Sequence, residues 1–257
     1  MISIDEISKY YPEKLHSYKS FILREYLQYK ILEIVFESEF GKQLSFLGGT
    51  CLRIVHNNNR FSEDLDFDNF NLSEKDFAGI SEVIGKQLQK QGYQVEIKNV
   101  FRDAFHCYIR FPKLLFNHRL SGHAEQKILI QLDTEPHNYS YTPEAHIINK
   151  FDVFTQIKIT PSDILLAQKF YALLNRKRKK GRDFFDIIFL LRQTHPNYDY
   201  LKQKTGISTP EELKKSVLDV CSETNLDQMA KDVEPFLFNP SDTKYITLFP
   251  EYMKQVI

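Results

Sequence analysis

The segment from Leu44 to Phe70 constrains this chain most. A short apolar run, Leu44 to Leu47, enters the glycine turn Gly48-Gly49-Thr50. An apolar stretch, Leu52 to Val55, follows and is broken by Asn57-Asn58-Asn59. Then comes Arg60-Phe61-Ser62-Glu63-Asp64-Leu65-Asp66-Phe67. A strand, a glycine turn and a helix in that order bring backbone N–H groups to an anion at the helix N-terminus. Alternate residues of a strand share a face, so Asp64 and Asp66 point the same way. Two carboxylates held together repel each other unless a cation stands between them, and hard oxygen donors suit Mg²⁺. A phosphate cradle beside an acidic pair points to phosphoryl or nucleotidyl chemistry.

Either motif alone is weak; joined by Arg-Phe-Ser-Glu they are specific. Together they resemble the DNA polymerase beta-like nucleotidyltransferase superfamily and, more narrowly, the AbiEii/AbiGii nucleotidyltransferase toxins of bacterial abortive-infection systems. The resemblance implies an α/β (α+β) fold, with a mixed-sheet nucleotidyltransferase domain followed by a C-terminal helical bundle. It implies an enzyme that takes an NTP with Mg²⁺ or Mn²⁺ and transfers the NMP to an RNA, the 3′ end of a tRNA included. It also implies a separately encoded antitoxin. The other readings are a nucleotidyltransferase acting on a small molecule, of the antibiotic type, or on a protein, and a non-catalytic interaction protein on the same fold. The intact glycine turn and acidic pair oppose the last of these.

The resemblance extends to the site residues. Asp64 and Asp66 are its metal ligands and catalytic carboxylates, and Gly48, Gly49 and Thr50 its phosphate turn, with Arg60 and Ser62 adding contacts around the same loop. A third carboxylate is expected on a neighbouring strand. Asp133 ends the apolar run Ile128 to Leu132, on the face opposite Ile130 and Leu132, and is the candidate metal ligand or base; Glu135 is the alternative. Lys169 and Arg176 are seven residues apart, so they share a helix face. On an amphipathic helix such a lysine is ordinarily a surface residue with a buried stem. The resemblance instead assigns Lys169 and Arg176 to the triphosphate. Asp183 and Asp186 open the next helical segment, where acidic side chains favour the helix dipole; the resemblance has at least one of them orient Lys169 or the substrate.

The chain of 257 residues carries 34 basic and 34 acidic side chains, a formal net charge of zero, so no global field attracts nucleic acid. Arg176-Lys177-Arg178-Lys179-Lys180-Gly181-Arg182 is the one dense basic cluster. Such a run is ordinarily a solvated loop, and beside a nucleotidyl-transfer site it is a candidate grip on an RNA backbone. Cys51, Cys107 and Cys221 lie far apart without metal spacing and read as buried free thiols. His106, His118, His123, His137, His146 and His195 follow no metal spacing and read as structural or exposed. The N-terminus lacks the features of a signal peptide, and no apolar run is long enough to span a membrane. A cytoplasmic protein is expected.

Periodicity places a long helix over 13–39, strands at 44–47 and 65–70, and a helix from 50 to 56. Ser73 with Asp76 forms a capping box for a helix reaching about Gln91. Alternation places strands over 93–97, 105–111 and 128–132. Pro161 begins a mostly helical half, with helices at 162–175, 182–192, 210–223 and 226–236. The expected domains are 1–159, nucleotidyltransferase with its N-terminal helix, and 160–257, helical.

Overall fold

The computed structural model describes residues 2–102, 104–136 and 138–257. The chain divides into two compact units, Met1–His56 with Phe61–Thr160, and Asn57–Arg60 with Pro161–Ile257.

The first unit is built on a seven-stranded mixed sheet. Its strands are β1 (Leu44–Leu47), β2 (Leu65–Asn69), β3 (Glu96–Phe101), β4 (Phe105–Phe111), β5 (Ile128–Pro136), β6 (Glu144–Lys150) and β7 (Val153–Ile159). They lie in the order β3-β4-β5-β2-β1-β7-β6. Its helices are α1 (Ile4–Ser8), α2 (Lys19–Glu37), α3 (Gly48–Ile54), α4 (Glu74–Lys90) and the single turn α5 (Leu114–Asn117). The long segment expected at 13–39 is a 3₁₀ turn over Glu13–Tyr18 followed by α2. The Ser73–Asp76 capping box is formed in full and starts α4. The strand expected at 93–97 begins later, at Glu96, because Tyr93 N–H still donates to the Leu88 carbonyl and closes α4.

Period-two alternation decides what each face of the sheet carries. On β4, Cys107, Ile109 and Phe111 are fully buried, and on β5 so are Ile130 and Leu132. The intervening His106, Tyr108, Arg110, Gln131 and Asp133 are half-exposed. The apolar side is the core; α2 packs on β7 and α4 on β3. Helix α2 is buried nearly all round, Glu25 included. Burial would push the Glu25 carboxyl upward, but Arg53 (2.8 Å) and Lys150 (2.8 Å) outweigh that and hold it below the usual range. Lys150 in turn lies 4.1 Å from the Tyr11 ring centre. This cluster fastens α3, the helix that begins with the glycine turn, to α2 and to the end of β6.

The second unit holds α6 (Ser162–Asn175), α7 (Gly181–Leu191), α8 (Tyr198–Thr205), α9 (Pro210–Glu223), α10 (Leu226–Val233), α11 (Lys244–Thr247) and α12 (Phe249–Val256). Phe170, Phe184 and Phe249 are fully buried in it. Helices α6 and α9 have the bounds expected from the sequence; α8, α11 and α12 are additions to that expectation. The polar segment 57–60 belongs here: Arg60 makes an antiparallel bridge with Leu237, and Phe238 N–H donates to the Asn59 carbonyl (3.1 Å). Cys51, Cys107 and Cys221 are buried and form no disulfide with one another. Among the described residues no helix is long and apolar enough to cross a membrane.

Candidate active site

In the first unit the site residues converge at one end of β1 and β2. Strand β1 stops at Leu47 and α3 starts at once with Gly48, whose φ is +78°. A side chain there would suffer twice: the left-handed backbone disfavours it, and a Cβ would collide with the Asp66 carboxylate. Glycine thus lets a carboxylate sit against the first turn of the helix. The N-cap residue, Leu47, makes no side-chain cap, and the start of a helix offers backbone N–H groups of the kind that bind anions. Thr50 is fully buried, and its hydroxyl donates to the Asp64 carbonyl. It locks the acidic segment to the glycine turn from behind instead of presenting its hydroxyl.

Asp64 lies one residue before β2 and Asp66 within it; both are half-exposed. Strand β2 pairs in parallel with β5, and Asp66 stands directly opposite Asp133. Residues opposed across paired strands point to the same face, so these carboxylates are neighbours. Glu135 stands opposite Asp68, one step further along, and is exposed. Asp68 itself is buried and accepts from the Tyr141 hydroxyl (2.6 Å). Asp133 is held by two side chains: His106 Nδ1 at 2.7 Å, and the Gln131 amide, donating to both oxygens at 2.8 and 2.9 Å. Among the described residues no three carboxylate, imidazole or thiol groups are gathered as a metal cage; Asp133 is turned to His106 and Gln131. The donor set is nonetheless suited to a hard divalent cation, since Asp64 and Asp66 offer only oxygen.

In the second unit, Asp186 is fully buried. It is gripped bidentately by Arg60 (2.7 and 2.6 Å), by Lys169 (2.7 Å) and by Asn58 (3.0 Å). Burial alone would raise its carboxyl, but Arg60 and then Lys169 more than reverse that, holding it at about 2. Asp183 is 2% exposed; it receives Arg176 at 2.5 Å and lies 3.7 Å from Lys169. Both aspartates therefore touch Lys169, whose side chain is only 12% exposed. It is no snorkelling surface lysine. Arg60, 1% exposed, faces Asp186, so its guanidinium is buried with a carboxylate and not held out to solvent. Arg176 remains 37% exposed. Helix α7 can begin this close to α10 only with glycine, because a Cβ at Gly181 would strike the Met229 carbonyl. In the basic loop Lys177 and Arg178 are exposed, while Lys179 donates to the Leu174 carbonyl (3.1 Å). Ser62 is half-exposed, and its carbonyl accepts from Gln28 (3.1 Å).

Sequence reasoning missed His106 and Gln131. Alternation on β4 and β5 does put both on the polar face, but their meeting with Asp133 depends on strand register. His137 lies outside the described residues.

A family model described as "Nucleotidyl transferase AbiEii toxin, Type IV TA system" matches residues 30–234. Among solved structures, JHP933 from Helicobacter pylori is similar with a TM-score of 0.55 and 15% identity, covering 92% of each chain. A second H. pylori structure, provisionally named a nucleotidyltransferase, has a TM-score of 0.55 and 15% identity, covering 92% of this chain and 95% of its own. These likenesses show a shared fold. No curated protein matches the chain.

Proposed function

The chain belongs to the AbiEii family of nucleotidyl transferase toxins from type IV toxin–antitoxin systems, and on that premise we propose that it transfers an NMP from an NTP to the 3′ end of an RNA, a tRNA above all. The observation that carries this reading is the alignment of Asp66 with Asp133 across paired strands, beside the uncapped start of α3.

Asp64 and Asp66, with Asp133 alongside, would hold a divalent cation, Mg²⁺ or Mn²⁺, which supplies neutralisation of phosphate charge. The N–H groups of Gly48 and Gly49 bind the phosphates, with Ser62 beside them. Asp133 accepts the proton of the attacking hydroxyl, and His106 and Gln131 fix the direction of its lone pairs. Lys169 and Arg176 bind phosphate oxygens, Lys169 as a point charge and Arg176 as a fork. Asp183 and Asp186 aim Lys169. Arg60 shares the charge of Asp186, which frees the lysine for the nucleotide. Three cations around two carboxylates leave this group with one positive charge in excess. Lys177 and Arg178 grip the RNA backbone. The family's antitoxin is the expected partner.

The test is incubation with each α-labelled NTP and total RNA, with and without EDTA. Metal-dependent label in RNA, absent with Asp66→Asn, supports the reading. Label that appears on protein or small molecules but never on RNA rejects the acceptor.

A further inference from the structure

The polar face of the sheet does not end at Asp133. Row by row, strand register carries it outward across β5, β4 and β3. Asp66, Asp133 and His106 form one row; Gln131, Tyr108 and Lys98 form the next; Leu129, Arg110 and Glu96 form the third. All of these residues belong to the first unit. His106, Tyr108 and Arg110 alternate with the fully buried Cys107, Ile109 and Phe111, so their outward direction is forced by the core. Tyr108 is half-exposed, with its ring centre 6.4 Å from that of His106 and 5.4 Å from the Arg110 guanidinium carbon. Lys98 beside it is exposed, and Leu129 is 36% exposed.

A half-exposed aromatic ring on a sheet face, with an arginine over it and an exposed lysine opposite it on the next strand, has the composition of a single-strand platform. A base stacks on the ring, and the cations meet the adjoining phosphates. Such a support would serve the site, because holding the terminal base of an RNA restricts where its 3′ hydroxyl points. The distance from the row of Asp133 and His106 to the row of Tyr108 is one side-chain repeat of a strand, about 7 Å, comparable with the span from a ribose hydroxyl to its base.

We propose that Tyr108 is the stacking platform for the terminal base of the RNA acceptor, with Arg110 and Lys98 on its phosphates, and that this places the 3′ hydroxyl at the Asp133–His106 pair. The proposal rests on the RNA-acceptor reading and adds where the acceptor lies. The basic loop of the second unit grips backbone without reading a base; Tyr108 requires a base.

Two fluorescein-labelled single-stranded RNAs ending in CCA test it, one intact and one with an abasic terminal ribose, titrated by anisotropy at fixed salt. The parent protein should bind the abasic RNA about five- to a hundredfold more weakly, the range for removing one base–aromatic stack. Tyr108→Ala should lose a similar factor on the intact RNA and then scarcely distinguish the two, while Tyr108→Phe, which keeps the π face, recovers most of the affinity. The KM for NTP should not follow these changes. Equal affinity of the parent for both RNAs overturns the platform without need of any variant. So does a Tyr108→Ala protein that still prefers the intact RNA by the parent's factor. A parent that binds neither RNA overturns the acceptor reading itself, and the platform with it.

Discussion

The molecule contains two acidic groups of the same residue type in opposite settings. Asp64, Asp66 and Asp133 stand half-exposed on or beside the interior strands β2 and β5. Asp183 and Asp186 are buried against Lys169, Arg176 and Arg60. A carboxylate removed from water needs a compensating cation, so the second pair is committed to its partners. A carboxylate at the surface stays in contact with water and carries no such requirement. Exposure, more than residue type or spacing, separates the two groups.

The largest expected effect falls on the buried group. Asp186→Asn leaves the Arg60 and Lys169 charges without their shared carboxylate, and unfolding should become easier by about 3–5 kcal/mol. Denaturant unfolding measures this. A destabilisation below about 1 kcal/mol would break the distinction, because the buried aspartate would then be dispensable to the fold.

Asp66→Asn should show the reverse pattern. Nucleotide transfer should drop on the order of 10²–10³-fold, the scale for removing one transition-state electrostatic interaction, with the thermal midpoint little changed. Single-turnover transfer and a melting curve read the two sides. A variant that melts early and transfers at the parent's rate would return Asp66 to a structural role.

The next effect is pH dependence. Asp186 is held at about 2, below its ordinary 3.8. Because the folded value is the lower one, its stabilisation is present above about pH 4 and is lost as pH falls towards 2, on the order of 2 kcal/mol in all. The gap in stability between parent and Asp186→Asn should therefore narrow by about that amount across the window. Parallel curves would sink the assignment.

The smallest effect concerns the basic loop. Replacing Lys177 to Lys180 by serine should flatten the slope of log RNA affinity against log salt by roughly 0.7–0.9 for each phosphate that the loop no longer neutralises, with NTP binding little affected. An unchanged slope would leave the loop solvated and away from the RNA.

Much of the fold was legible because local patterns are strong where one face is buried. The Ser73–Asp76 box, the alternation of Phe105 to Phe111 and the bounds 162–175 and 210–223 all reappear in the structure. The short helices α8, α11 and α12 escaped, being short, with little periodicity to read. Lys169 was legible as a cation on a helix but not as a buried one, since that depends on Asp186, 17 residues away on another helix.

By itself the sequence determined the glycine turn, the acidic strand after it and the family to which both belong, because turn chemistry and side-chain alternation are local properties of the chain. Tertiary structure alone decided that Asp133 lies beside Asp66, that His106 and Gln131 hold Asp133, and that Arg60 of the same motif is buried on Asp186 in the helical unit. The physical reason is that strand register and ion pairing across long stretches of chain are set by which faces the core buries. No window of sequence contains that information.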